Sequence, residues 1–185
     1  MPVSPPPPDL GWKARDFDLE ATDGWRYRLA DCRGENGTLV MFICNHCPYV
    51  KAVLDDIIAD IRNLAPHGVK AIAIMSNDTD EYPEDSFENM KRIGAAKHFP
   101  FPYVIDRTQD VARAYGAVCT PDFFGFNAAL ELQYRGRIYE VRNRQRVPGA
   151  RRELFEAMLE IAKTGHSTAP QVPSMGCSIK WRETA

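Results

Sequence analysis

The feature that most constrains the fold is a cysteine pair, Cys44 and Cys47, placed where a strand-like run gives way to a helix-like run. Residues 38–43 are β-branched and aromatic over the length of a strand, and from Val50 onward apolar residues recur at helical spacing. Residues 69–75 form a second apolar strand after this helix. The sequence therefore predicts a right-handed strand-helix-strand unit with both cysteines at the start of its helix.

The position of the two cysteines predicts reactive thiols. Free backbone N–H groups and the helix dipole favour an anion, so we expect a stabilised thiolate at Cys44. Cys47, three residues on, lies on the same helix face and within disulfide reach. His46 is expected to tune the pKa of the thiolate, although a solvated turn residue is an alternative interpretation. The expected chemistry is thiol–disulfide exchange.

A zinc site is the main alternative for such a pair. Zinc sites that use two cysteines at this spacing usually bring a second pair, whereas Cys32, Cys119 and Cys177 are scattered singles. We therefore expect no metal. A redox-sensing or metal-binding module whose thiols hold an ion stays a further hypothesis, which zinc or copper retained through purification would support.

Length and charge exclude several classes of protein. A chain of 185 residues is long enough for one domain with a proper core. With 23 basic and 25 acidic residues, the net charge of −2 gives no electrostatic case for nucleic acid or an anionic membrane. No stretch approaches the length of an apolar membrane span, and the start has no signal-peptide pattern. We expect a cytoplasmic protein whose five cysteines are reduced thiols plus one catalytic pair.

Three segments are expected along the chain. Residues 1–9 are rich in proline and predict a flexible arm. Residues 10–165 carry the strand and helix patterns of one α/β domain, which begins with a β-hairpin over 17–21 and 25–29. Residues 166–185 form a tail whose apolar side chains favour docking on the domain.

The predicted order of elements is ββ, β-Cys-x-x-Cys-α, βα, βα, ββα, and with this order the chain resembles thioredoxin-fold proteins. The resemblance is strongest to the branch shared by the alkyl hydroperoxide reductase/thiol-specific antioxidant group and the ResA/TlpA-like thiol oxidoreductases. A bacterial subfamily in particular has similar strings, which here are Cys-Asn-His-Cys-Pro-Tyr-Val at 44–50, Tyr-Pro-Glu-Asp-Ser at 82–86, Cys-Thr-Pro-Asp at 119–122 and Gly-Cys-Ser-Ile-Lys-Trp at 176–181. The resemblance implies a central mixed sheet flanked by helices, with an N-terminal β-hairpin and a C-terminal tail.

The resemblance also implies a substrate-binding loop. In thioredoxin-like folds a cis-proline faces the cysteine pair, and the match here is Thr120-Pro121. The backbone of Thr120 would then pair with an extended substrate segment, as an added strand does. Cys119 adjoins this loop and is a candidate third thiol, although a packed small hydrophobe is the favoured interpretation.

The activity that the resemblance implies is that of a thiol–disulfide oxidoreductase. Cys44 would attack a protein or small-molecule disulfide and Cys47 would displace the product, with electrons from another dithiol protein and no cofactor. The alternative is a peroxiredoxin-like peroxidase that uses Cys44 or Cys47, with Cys119 or Cys177 resolving. Peroxiredoxins carry a threonine three residues before the reactive cysteine. That position is Met41 for Cys44 and Cys44 for Cys47, which weakens the alternative.

Overall fold

The computed structural model describes residues 2–183. Its strands are β1 (Pro2–Val3), β2 (Asp18–Ala21), β3 (Arg26–Arg28), β4 (Gly37–Phe42), β5 (Val69–Met75), β6 (Tyr103–Ile105), β7 (Cys119–Thr120), β8 (Asp122–Asn127), β9 (Leu132–Tyr134), β10 (Val141–Arg142), β11 (Gln145–Arg146) and β12 (Gly176–Ser178). Its α-helices are α1 (Leu29–Cys32), α2 (Pro48–Leu64), α3 (Phe87–Ala96), α4 (Asp110–Tyr115) and α5 (Glu153–Thr164). Among residues 2–183, no helix is long and apolar enough to cross a membrane.

Seven strands form a central mixed sheet in the spatial order β3-β2-β6-β5-β4-β8-β9. The strands β4, β5 and β6 run parallel, and the remaining neighbours pair antiparallel. The predicted strand-helix-strand unit is β4-α2-β5, whose strands pair from Gly37↔Val69 to Phe42↔Ile74. The expected mixed sheet with flanking helices and an N-terminal hairpin, β2-β3, is therefore confirmed.

Helices cover both faces of this sheet. Along β4, Leu39 and Met41 point into a core shared with α2, α3 and α5, whereas Val40 and Phe42 point into a core shared with α1 and α4. Burial on both faces explains why β4 and β5 read as continuous apolar runs in the sequence. The cysteine-bearing turn thus leaves a strand that is packed on both sides.

Two helices begin later than the sequence predicts, and both differences affect the site. Helix α2 begins at Pro48, where the missing N–H of proline costs little, so both cysteines precede it. The sequence pattern predicts a helix over residues 83–97, whereas α3 begins at Phe87 and is capped by Ser86, whose side chain accepts the backbone N–H of Asn89 at 3.3 Å. Asp85 therefore lies in a 3₁₀ segment, Pro83–Asp85, where its side chain is free to turn inward.

A second, small sheet joins the two ends of the chain to the body, in the order β1-β12-β7. The tail strand β12 pairs antiparallel with β7, and β1 pairs antiparallel with the outer side of β12. Pro2 and Val3 are therefore strand residues within the segment predicted to be a flexible arm. The physical reason is that β12 offers free backbone groups to an edge strand, a place where proline is tolerated. The division into arm, domain and tail stays a prediction.

Candidate active site

The two cysteines lie in the turn between β4 and α2. Both are buried, Cys44 with 2% and Cys47 with 0% of its surface exposed. Cys47 is the N-cap residue of α2, because the helix begins at the next position. Its side chain therefore lies closest to the backbone N–H groups that the first turn leaves unpaired.

A buried carboxylate, Asp85, holds this turn in place. Its Oδ1 accepts the backbone N–H of Asn45 at 2.7 Å and that of His46 at 3.1 Å. Its Oδ2 accepts the side-chain N–H of Asn77 at 2.8 Å and lies 2.5 Å from His46 Nδ1. Asp85 is not among the site residues that the sequence predicts, because the pattern of residues 83–97 places it in the first turn of a helix. The only signal was its place in the string at 82–86 that carries the family resemblance.

His46 is held against Cys44 and not against Cys47. Its Nδ1 lies 3.9 Å from the sulfur of Cys44, and the ring stacks on Tyr82 with centroids 5.3 Å apart. The same Nδ1 lies 2.5 Å from Asp85 Oδ2, which fixes this edge of the ring. The structure thus gives His46 one defined orientation, which the sequence could not supply.

The predicted Thr120-Pro121 loop faces the cysteine pair, and its peptide bond is cis. The Thr120 Oγ1 lies 3.4 Å from the sulfur of Cys44. The S–H of Cys47, when protonated, donates to the carbonyl of Thr120 at 3.2 Å. One residue of the loop therefore touches both sulfurs.

The surroundings of the two thiols separate their pKa values. The pKa of Cys47 is lowered, first because the Cys44 S–H donates to its sulfur, and further by the thiol and N–H of Cys177 and the N–H of Val50. The pKa of Cys44 is raised by the same hydrogen bond, by burial and by the negative charge of Asp85. These directions oppose the prediction of a stabilised thiolate at Cys44, because the helix begins after Cys47 and the N–H of Val50 reaches that residue. Which of the two thiols attacks stays a prediction.

The three other cysteines differ in their burial and in their position relative to the active pair. Cys119 is fully buried, its S–H donates to the Pro121 carbonyl at 3.6 Å, and burial raises its pKa. Burial also raises the pKa of Cys32, to about 12, on the opposite face of the sheet. Cys177 is half-buried on β12 and its thiol acts on the sulfur of Cys47. Cys177 therefore lies beside the pair, and the role of Cys119 as a third thiol or as a packed small side chain stays a prediction.

Cys44, His46 and Asp85 are also the one group, among the described residues, whose ligand atoms could hold a metal ion, since they lie within 4.8 Å of one another. However, His46 Nδ1 and Asp85 Oδ2 are only 2.5 Å apart. Two ligands of one tetrahedral zinc ion lie about 3.3 Å apart, from bond lengths of about 2.0 Å. The present arrangement is thus that of a hydrogen-bonded pair.

A cleft of about 570 Å³ opens beside the cis-proline. Pro121, Phe123 and Tyr49 form part of its apolar wall, and Arg137 and Arg144 also line it. The cleft is continuous with the loop that touches the two sulfurs, and so offers space for a chain that approaches them.

The comparison with protein families gives one match. Residues 10–141 match the model of the AhpC/TSA family, which is well over half of the chain. The chain belongs to the AhpC/TSA family. The family and the fold make it a thiol-based redox enzyme of the thioredoxin-like type. No curated protein matches the chain.

Solved structures show the same fold. An uncharacterized conserved protein from Geobacillus kaustophilus is 41% identical, with a TM-score of 0.94 over 100% of this chain and 98% of that one. A hypothetical protein from Sinorhizobium meliloti is 34% identical, with a TM-score of 0.90 over 98% and 99%. A thiol:disulfide interchange protein of the thioredoxin family from Chlorobium tepidum is 18% identical, with a TM-score of 0.59 over 82% and 93%. That last likeness shows the thioredoxin-like fold.

Proposed function

We propose that this protein is a thiol–disulfide oxidoreductase in which Cys44 and Cys47 alternate between a dithiol and a disulfide. One observation carries the proposal: both thiols lie against Thr120 of the cis-proline loop, the Cys44 sulfur 3.4 Å from its Oγ1 and the Cys47 sulfur 3.2 Å from its carbonyl oxygen. A thiol with a lowered pKa beside a second thiol is the arrangement that exchange requires.

The order of attack is proposed from the position of Cys47, which caps α2 and whose sulfur is reached by the N–H of Val50. The Cys47 thiolate attacks a substrate disulfide, one substrate sulfur leaves as a thiolate and takes up a proton, and a mixed disulfide forms. Cys44 then loses its proton and attacks the sulfur of Cys47, which releases the second substrate thiol and closes the 44–47 bridge. This order reverses the one expected from the sequence, in which Cys44 attacks first. Another dithiol protein would reduce the bridge again.

The loop and the cleft favour an extended, disulfide-bearing protein segment as substrate. Backbone groups of Thr120 can pair with such a segment as with an added strand. The apolar wall beside Pro121 and Phe123 would hold its side chains. His46 and Asp85 act as positioning residues, because they fix the turn that carries both thiols.

Insulin reduction with dithiothreitol tests the proposal on wild type, Cys44→Ser and Cys47→Ser. We expect the wild type to accelerate reduction and both variants to lose the acceleration. Cys44→Ser/Cys177→Ser, in which neither of these thiols can displace the substrate, is expected to trap a mixed disulfide through Cys47, whereas Cys47→Ser should trap none. Cys32→Ser is the matched control, since this buried thiol lies on the other face of the sheet. Wild type that leaves insulin reduction unchanged would contradict the proposal.

A peroxiredoxin-like peroxidase is the second candidate, and one contact favours it. The hydroxyl that a peroxidase needs near its thiol, absent at Met41, is present in Thr120, 3.4 Å from the sulfur of Cys44. In this mechanism a thiolate is oxidised to a sulfenic acid as the hydroperoxide is reduced to an alcohol, and a second thiol resolves it. Cysteine-dependent hydroperoxide consumption without insulin reduction would establish the peroxidase in place of the oxidoreductase.

A further inference from the structure

The strand edge beside the cis-proline loop is occupied by the chain's own tail. In β12, Cys177 pairs with Thr120 and Ser178 pairs with Cys119, in antiparallel register. This is the backbone edge on which an extended substrate would form an added strand. The tail therefore lies where the proposed function places a substrate.

Close contact between the tail and the loop depends on Gly176. A Cβ at this position would lie 1.9 Å from the carbonyl oxygen of Thr120 and 3.1 Å from the nitrogen of Pro121. Any side chain here must displace backbone, not a flexible side chain. Glycine thus permits the approach that brings the next residue, Cys177, to the active pair.

Contacts on the far side of Cys177 fix the tail in this position. Ile179 is buried, and its N–H donates to the carbonyl of Val118 at 3.0 Å. The N–H of Lys180 donates to Asn77 Oδ1 at 2.9 Å, and its carbonyl accepts the side chain of Gln109 at 2.8 Å. Asn77 also donates to the carboxylate that holds the cysteine turn. Tail and active pair are therefore held by one network.

The side chain of Cys177 packs against the core cluster that contains Cys44 and Cys47. Burial, the hydrogen bond to Cys47 and the charge of Cys47 raise the pKa of Cys177 to about 11, while Lys180 lowers it. When Cys47 enters a disulfide, its sulfur carries no charge and accepts only a weaker hydrogen bond. Both changes lower the pKa of Cys177, so its thiolate forms more readily in the oxidised protein.

We propose that Cys177 is a third redox thiol of the active site, held by β12 in the place of a substrate sulfur. The proposal rests on the proposed function, since it needs the 44–47 disulfide. The Cys177 thiolate attacks the sulfur of Cys47, so that the 47–177 bond forms as the 44–47 bond breaks. The electron pair leaves on Cys44, which takes up the proton that Cys177 lost. The exchange needs no external oxidant or reductant.

The exchange has a consequence for substrates. A 47–177 bridge keeps β12 on the Thr120 edge and leaves Cys44 as a free thiol. An incoming protein disulfide must then compete with a tail that is covalently attached, so the tail is a built-in competitor for the same backbone groups.

The test uses full-length Cys44→Ser, in which Cys47 has no partner in the pair. Oxidised glutathione forms a mixed disulfide with Cys47, and Cys177 is expected to displace glutathione. Peptide mapping under non-reducing conditions should then show a 47–177 bridge. The same bridge is expected in Cys44→Ser/Cys119→Ser, which removes the other nearby thiol. A stable glutathione adduct on Cys47, or a 47–119 bridge, would overturn the proposal.

A second variant tests whether β12 positions the Cys177 thiol for attack on Cys47. Gly176→Ala in the Cys44→Ser background leaves every remaining cysteine in place but pushes β12 from Thr120, so bridging should slow by about tenfold or more. Circular dichroism is the check that the domain stays folded. An unchanged bridging rate in a folded variant would refute the assignment. Insulin reduction by wild type is measured separately. If wild type reduces insulin but the 47–177 bridge does not form, only this inference fails. If the bridge forms but wild type does not reduce insulin, the oxidoreductase proposal fails.

Discussion

Replacing Asp85 with asparagine is expected to make Cys44 easier to ionise. The variant removes a buried negative charge whose oxygen lies within 4.8 Å of the Cys44 sulfur, while it keeps the side-chain volume. Two unit charges at that separation interact by about 3.5 kcal/mol at an effective dielectric constant of about 20. Because this repulsion raises the pKa of Cys44, its removal lowers that pKa.

The size of the effect follows from what surrounds the charge. The full 3.5 kcal/mol would be roughly a 300-fold change in the ratio of thiolate to thiol, at about 1.4 kcal/mol for each factor of ten. The His46 ring and two backbone N–H groups beside Asp85 offset part of its field. We therefore expect a rise of about tenfold to a hundredfold in the thiolate fraction at a fixed pH below the pKa.

The measurement is the pH dependence of iodoacetamide alkylation in a Cys47→Ser background, where Cys44 is the only thiol of the pair. Adding Asp85→Asn should shift the alkylation curve of Cys44 to lower pH. Glu84→Gln is the matched control, because it makes the same change in charge on an exposed side chain one residue away. A curve that stays in place or moves to higher pH with Asp85→Asn would refute the electrostatic argument.

Two further predictions concern a buried ion pair and the tail thiol. Arg135→Ala leaves the fully buried carboxylate of Asp122 without its ion pair, so we expect the free energy of unfolding in urea to fall by about 3–5 kcal/mol. The control is Arg151→Ala at an exposed ion pair, which should change the free energy of unfolding by less than about 1 kcal/mol. Equal losses in the two variants would contradict the reasoning. Cys47→Ser removes the charge that raises the pKa of Cys177, so alkylation of Cys177 at pH 8 should become faster than in the reduced wild type, and a slower rate would contradict it.

The local sequence pattern was sufficient to predict the strand and the helix on either side of the active pair. The apolar run at 38–43 and the helical spacing from Val50 predict the strand and helix that flank the cysteines, and both are present. These signals are readable because alternation and helical periodicity depend on near neighbours in the chain. The Thr120-Pro121 loop came from the resemblance to a family, and the structure places it against both sulfurs.

The sequence pattern could not predict the residue at which the helix after the cysteine pair begins. The sequence placed Cys44 at the helix N-terminus, whereas the helix begins at Pro48 and Cys47 caps it. The start of a helix depends on tertiary contacts as well as on local pattern, and here the first helical N–H groups reach Cys47. In this turn the contacts come from Asp85, which binds two backbone N–H groups.

The sequence by itself determined that this chain is an α/β protein with a cysteine pair at a strand-to-helix turn, because those elements follow from local periodicity. Only the tertiary structure decided which groups surround the pair. Asp85 reaches the turn from about 40 positions away, and Cys177 reaches it from the tail. The physical reason is that such contacts depend on the packing of the whole chain around the sheet, and no local pattern records which distant segment a buried thiol will meet.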